Sequence, residues 1–193
     1  MAQIRKVICV VGMPGAGKSI VSKALAEALN TQVISMGDVV RYEASRRGIG
    51  KDLISMMKFA EELRRMYGKD AVAKLTVLYI RKLNIGKEVL IIDGVRSLSE
   101  VEVFRRNFND VAIVAIHSSP KTRFRRLKER GRPDDPKTWD EFRLRDEKEL
   151  KFGIGNVIAL ADYMVVNEDK EISELIREVK DIAHRLVGNN DRN

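Results

Sequence analysis

Residues 12–19, Gly-Met-Pro-Gly-Ala-Gly-Lys-Ser, hold the densest chemistry in this chain. Gly12, Gly15 and Gly17 free the backbone to curl, so that successive N–H groups turn inward. Lys18 adds one cation and Ser19 one hydroxyl. Such a ring of donors fits the oxygens of a polyphosphate, and the hydroxyl is placed to ligate Mg²⁺. The spacing G-x-x-x-x-G-K-S is the P-loop pattern, with Met13, Pro14 and Ala16 completing the expected ATP-binding segment. It follows an apolar run at 7–11 and precedes a helical pattern at 20–29, whose N-terminus adds the positive end of its dipole. A plain glycine-rich turn with an exposed lysine would not need all eight positions.

A second group follows the apolar run Val-Leu-Ile-Ile at 89–92. Asp93 ends it and is expected to hold the Mg²⁺ hydration shell beside Ser19; the plainer reading is an aspartate capping the next helix. The next residue is Gly94, where hydrolytic P-loop motors commonly carry a carboxylate to activate water. Its identity points toward transfer to a bound acceptor. No N-K-x-D occurs, which favours ATP over GTP.

These residues need a scaffold that alternates strand and helix. Buried strands are expected at 7–11, 33–35, 89–93, 111–116 and 163–166, and helices at 20–29 and 172–186. The fold class is therefore α/β: a three-layer P-loop fold with a five-stranded parallel sheet and helices on both faces. One domain is expected over 1–193, with a helical acceptor-binding subdomain at 38–84 and a short lid at 123–145. In the subdomain, Leu53, Met56, Met57, Ala60 and Leu63 form one stripe and Val72, Leu75, Leu78 and Tyr79 another, with the methionines read as core filling. The lid is the arginine-dense stretch broken by Gly-Arg-Pro-Asp-Asp-Pro at 131–136.

Net charge is +8 and the pI about 9.6, which favours anionic partners. The single cysteine, Cys9, lies in an apolar strand and reads as a buried structural thiol. No segment has the length of a membrane span, no secretory pattern opens the chain, and a cytoplasmic protein is expected. The abundance of Glu, Lys and Arg fits a thermophile.

Several motifs resemble the nucleoside monophosphate kinases. Val-Ile-Ser-Met-Gly-Asp-Val-Val-Arg at 33–41 is similar to the adenylate kinase I-S-x-G-D-x-x-R, which implies that Gly37 admits the acceptor nucleotide and Arg41 holds its phosphate. Ile-Asp-Gly-Val-Arg-Ser at 92–97 resembles D-G-F-P-R, one residue shorter, and implies acceptor binding at Gly94 and Arg96. The stretch 126–145 resembles the family lid, which implies catalytic roles beside Lys18 for Arg126, Arg130, Arg132 and Arg143, with Asp134 and Asp135 in the lid sequence. Tyr-Met-Val-Val-Asn-Glu at 163–168 also resembles dephospho-CoA kinases. An archaeal group of adenylate-kinase-related proteins is similar over nearly the whole chain.

Three functions follow as alternatives. AMP, or another nucleoside monophosphate, is the first acceptor, with Asp38 capping its helix. A sugar hydroxyl, as in dephospho-CoA kinase, is the second, with Asp38 as general base. The third is a P-loop ATPase on nucleic acid, with basic patches at 46–48, 64–65 and 123–126; few aromatics interleave with them, so it is not favoured. His117 and His184 read as structural, and Trp139 as a packing residue.

Overall fold

The computed structural model describes residues 4–83 and 85–188, without the Leu53 side chain. The short apolar runs become a parallel sheet because both faces are covered, so every side chain along a strand can be apolar. Its strands are β1 (Lys6–Val11), β2 (Val33–Ser35), β3 (Val89–Asp93), β4 (Asp110–His117) and β5 (Tyr163–Val166), in the order β2-β3-β1-β4-β5. β1 is central, in register with β3 (Val10 opposite Asp93) and β4 (Val11 opposite Ala115).

Alternation along β1 divides the core in two. Ile8 and Val10 face α1 (Lys18–Ala28) and α9 (Ile172–Gly188), where Leu25, Val179 and Ala183 are buried. Val7, Cys9 and Val11 face the other layer, built from α2 (Met36–Arg46), α3 (Leu53–Tyr67), α4 (Ala71–Lys82), α5 (Leu98–Asn107) and α8 (Ile154–Ala159). Cys9 is fully buried, and burial pushes its thiol far above the ordinary range, as an inert core group requires. The lid segment runs between α6 (Pro120–Arg130) and α7 (Trp139–Phe152). Among the described residues no helix is long and apolar enough to cross a membrane.

Two sequence expectations are corrected. Leu78 is 55% exposed; the inward face of α4 is Val72, Ala73, Thr76, Val77 and Ile80, at true 3.6-residue spacing. Met56 and Met57 are half-buried: Met56 packs against the core, and both also line a cavity. Asp38 is not a cap, because α2 begins two residues earlier: Ser35 is the N-cap and its Oγ accepts from Asp38 N–H. Asp38 is thereby left free to turn toward Arg41.

Candidate active site

The carboxyl end of β1 feeds the loop at residues 12–17, and α1 starts at Lys18, directly after Gly17 in a left-handed conformation (φ 103°). Gly15 also has positive φ, and a Cβ there would come within 2.6 Å of the Arg123 carbonyl oxygen. The loop is therefore pressed against α6. Behind it, Asn167 Nδ2 donates to the Ala16 carbonyl (2.9 Å) and the buried Ser118 hydroxyl to Asn167 O (2.6 Å). Lys18 Nζ donates to the carbonyls of Gly12 (2.7 Å) and Met13 (3.2 Å). Burial lowers its pKa to about 8, partly opposed by the charge of Asp93.

Asp93 stands at the tip of β3, beside Lys18. Burial raises its pKa, and Oδ1, shielded from solvent, accepts no hydrogen bond among the described residues. An orphaned hard oxygen next to a phosphate-binding loop suits Mg²⁺, which takes one or two protein oxygens and keeps water and phosphate for the rest. Ser19 lines the same cleft. Among the described residues no cluster of three or more His, Cys, Asp or Glu forms a metal cage.

The cleft encloses about 940 Å³. Every site residue expected from sequence lines it except Met13, Ala16 and Arg143. Ala16 is fully buried under the loop. Arg126 lines the cleft but is also anchored: it donates to Ser118 Oγ (2.9 Å) and Asn167 O (3.2 Å). Arg130 forks onto Asp135, and Arg132 N–H donates to the same carboxylate (3.0 Å). Burial alone would raise the Asp135 carboxyl; these donors override it and hold the pKa low. Arg41 Nη2 meets Asp38 Oδ1 at 2.6 Å, and Asp38 remains exposed in the cleft.

Arg143 is corrected by helix phase. It projects from the outer face of α7, 64% exposed, with Glu147 at 4.0 Å. Residues two apart on a helix face opposite ways, and Arg145 is the one that enters the cleft. Its side chain is 13% exposed and donates to Asp134 O (2.8 Å) and Asp135 Oδ1 (3.3 Å).

Two further elements escaped the sequence reading. Arg123 is buried; it donates to Ser118 O and Pro14 O (3.1 Å each) and forks onto Asp146 (2.9 and 2.6 Å), tying the P-loop to α7. Glu100, fully buried, accepts from Arg64 Nη2 (2.9 Å) and from Arg96 N–H (2.7 Å), and so holds the Arg96 backbone in place. Arg123 opens the expected lid and basic patch, where nothing local marks its burial; for Glu100 the signal available was a charged residue beside Leu98, Val101 and Val103. Trp139 packs as expected, edge-on to Phe124 and stacked on Phe142, and His117 and His184 are exposed surface residues.

The family described as AAA domain matches residues 11–143. Relatives cover nearly the whole chain. The UPF0200 protein of Thermococcus sibiricus is 48% identical over 93% of this chain and 95% of its own length. That of Staphylothermus marinus is 48% identical over 95% and 94%. Among solved structures, shikimate kinase from Acinetobacter baumannii superposes with a TM-score of 0.57 at 14% identity, covering 97% of this chain and 96% of that one. A gluconokinase from Sinorhizobium meliloti 1021 superposes with a TM-score of 0.52 at 18% identity, over 97% and 96%. At such identities the likeness is one of fold, the P-loop α/β fold of kinases. With 48% of its residues shared over 95% of the length of an archaeal relative and a phosphate loop at the carboxyl end of its central strand, the chain belongs to the UPF0200 family of P-loop proteins.

Proposed function

We propose that this protein transfers the γ-phosphoryl group of ATP to a small anionic acceptor. One observation carries the reading: Arg41 from α2, Arg96 from the segment after β3 and Arg145 from α7 converge on the side of the cleft away from α1. Hydrolysis needs only donor and water; three guanidiniums from separate elements beyond the P-loop suit a second anionic substrate. The names of the fold neighbours, a shikimate kinase and a gluconokinase, agree with phosphoryl transfer to a small molecule.

In this reading Lys18 exchanges the carbonyls of Gly12 and Met13 for phosphate oxygens. Ser19 and Asp93 hold Mg²⁺, which when bound neutralises charge on the phosphates. Arg126, Arg130, Arg132 and Arg145 surround the migrating group from the lid side, and the segment 131–136 keeps water out. The motifs rank AMP first as acceptor, its phosphate held by Arg41 and Arg96. The geometry favours a hydroxyl acceptor, because the Asp38 carboxylate faces the cleft unburied. Asp38 then takes the hydroxyl proton as the oxygen attacks phosphorus, and ADP leaves. The nucleic-acid reading loses ground, since Arg64 and Arg123 of its patches are buried in ion pairs.

The test is an acceptor screen with ATP and Mg²⁺, following ADP. Acceptor-dependent ADP formation that disappears in Lys18→Ala is expected. ATP consumption that no acceptor accelerates would refute the kinase reading.

A further inference from the structure

A second chamber opens from the main cleft between α2, α3 and α7. Its volume is about 60 Å³, space for a few water molecules. Met56 and Met57 give it an apolar floor, and Arg41, Arg96 and Arg145 a cationic rim. It does not deepen toward α3. There the Arg64 guanidinium lies 4.3 Å from the centre of the Phe152 ring and is paired to the fully buried Glu100. Opening that wall would leave a buried charge uncompensated. A purine base therefore has no room on this side.

Glu149 lines both the chamber and the main cleft and is only 6% exposed. Arg96 Nε lies 3.0 Å from its Oε2, yet that buried oxygen accepts no hydrogen bond among the described residues. The two groups face one another off line, as a charge contact without hydrogen-bond alignment. The ion pair with Arg96 compensates its charge but leaves hydrogen-bonding capacity open, and the phosphate chemistry proposed above has no use for it. A donor arriving with the ligand would satisfy it.

The charges narrow the ligand further. Four cations (Arg41, Arg96, Arg145, Lys148) line the chamber against two carboxylates (Asp134, Glu149), with Lys148 also 3.6 Å from Glu61 and Arg41 2.6 Å from Asp38. The lining itself is net cationic and suits an anionic group on the acceptor. An anion with no donor of its own would be repelled by Glu149 at this range. Asp38 lies in the main cleft and outside the chamber, so the hydroxyl that receives phosphorus and the group that meets Glu149 are different. Resting on the kinase reading, we propose that Glu149 is the acceptor-reading residue. It accepts a hydrogen from a second hydroxyl of a small, non-nucleotide, polyhydroxylated anion whose carboxylate or phosphate lies among Arg41, Arg96 and Arg145.

The experiment measures ADP formation by the full chain with D-gluconate, shikimate, ribose 5-phosphate, glycerol 3-phosphate and AMP, for the wild type, Glu149→Ala and Glu149→Gln. Calorimetric ATP binding reports the donor site. Turnover of at least one hydroxylated small anion is expected. Its KM should rise at least tenfold in Glu149→Ala, with kcat changed less than threefold and ATP affinity unchanged. The amide oxygen of Glu149→Gln still accepts a hydrogen, so this variant should recover part of the loss. Should Glu149→Ala fail to fold, a threefold or greater KM increase in the isosteric Glu149→Gln carries the test. An acceptor KM within twofold of wild type in the folded variants overturns the proposal. So does preference for AMP over every small anion, which leaves the kinase reading standing. Intact ATP binding with no ADP formed from any of the five, AMP included, overturns the kinase reading and this proposal with it.

Discussion

Replacing Arg145 and Arg143 separately by alanine separates the lid chemistry from surface charge. Arg145 is nearly buried and donates to Asp134 O at 2.8 Å and Asp135 Oδ1 at 3.3 Å. Hydrogen bonds from a charged donor are worth ~1.5–3 kcal/mol. Asp135 keeps Arg130 and the Arg132 N–H, so it is not orphaned and the larger sum is not reached. A net loss of about 2–3 kcal/mol remains, felt where the lid must assemble around the transferring group. At ~1.4 kcal/mol per decade that slows transfer roughly 30- to 150-fold. Arg143 makes one exposed contact with Glu147 at 4.0 Å, of a kind worth ~0.3–0.5 kcal/mol, so its removal changes the rate about twofold at most. The assay is ADP formation at saturating ATP·Mg²⁺ and acceptor, with thermal melting as a folding control. An Arg143→Ala defect equal to or larger than that of Arg145→Ala would refute the phase assignment of α7 and the lid role built on it.

Three further outcomes follow from the site. Lys18, which burial lowers to a pKa of about 8, must carry its proton against phosphate; ATP binding near pH 8 should take up protons and weaken as pH rises through that value. Calorimetry in buffers of different ionisation enthalpy checks this, and zero uptake counts against it. Asp93→Asn should abolish the effect of Mg²⁺ on ATP affinity, since the buried oxygen that no donor occupies loses its charge; an unchanged Mg²⁺ effect would remove Asp93 from the metal site. Glu168 accepts from the Thr122 hydroxyl and from Ser119 N–H and Oγ, which hold its pKa at about 2. Its contribution is complete above the unfolded value near 4.5 and is lost as pH falls toward 2, so Glu168→Gln should flatten the acid limb of the stability curve; parallel curves for the two proteins would contradict this.

The motif at residues 12–19 was legible in full because its chemistry is contiguous: glycine conformations, lysine and hydroxyl are set within one turn of chain, whatever surrounds them. The five strands were legible because doubly covered strands are continuous apolar runs. Their order was not, since the runs at 33–35 and 163–166 carry no mark of which edge they occupy. Arg143 and Arg145 show where a one-dimensional reading stops. Both sit in the expected lid at plausible spacing, and only the packing of α7, with Phe142 buried and Asp146 locked to Arg123, sets which face turns inward. Glu149 and Glu100 went unread for the same reason. Their partners, Arg96 and Arg64, are 53 and 36 residues away, and an isolated glutamate in a charged helix looks like solvated surface. The sequence by itself therefore determined the phosphate loop, the strands and the fold class, which depend on local geometry and apolar pattern. The chamber beside the cleft was decided by tertiary structure alone, because a cavity assembled from five separated segments exists only once burial has chosen which charge each helix turns inward.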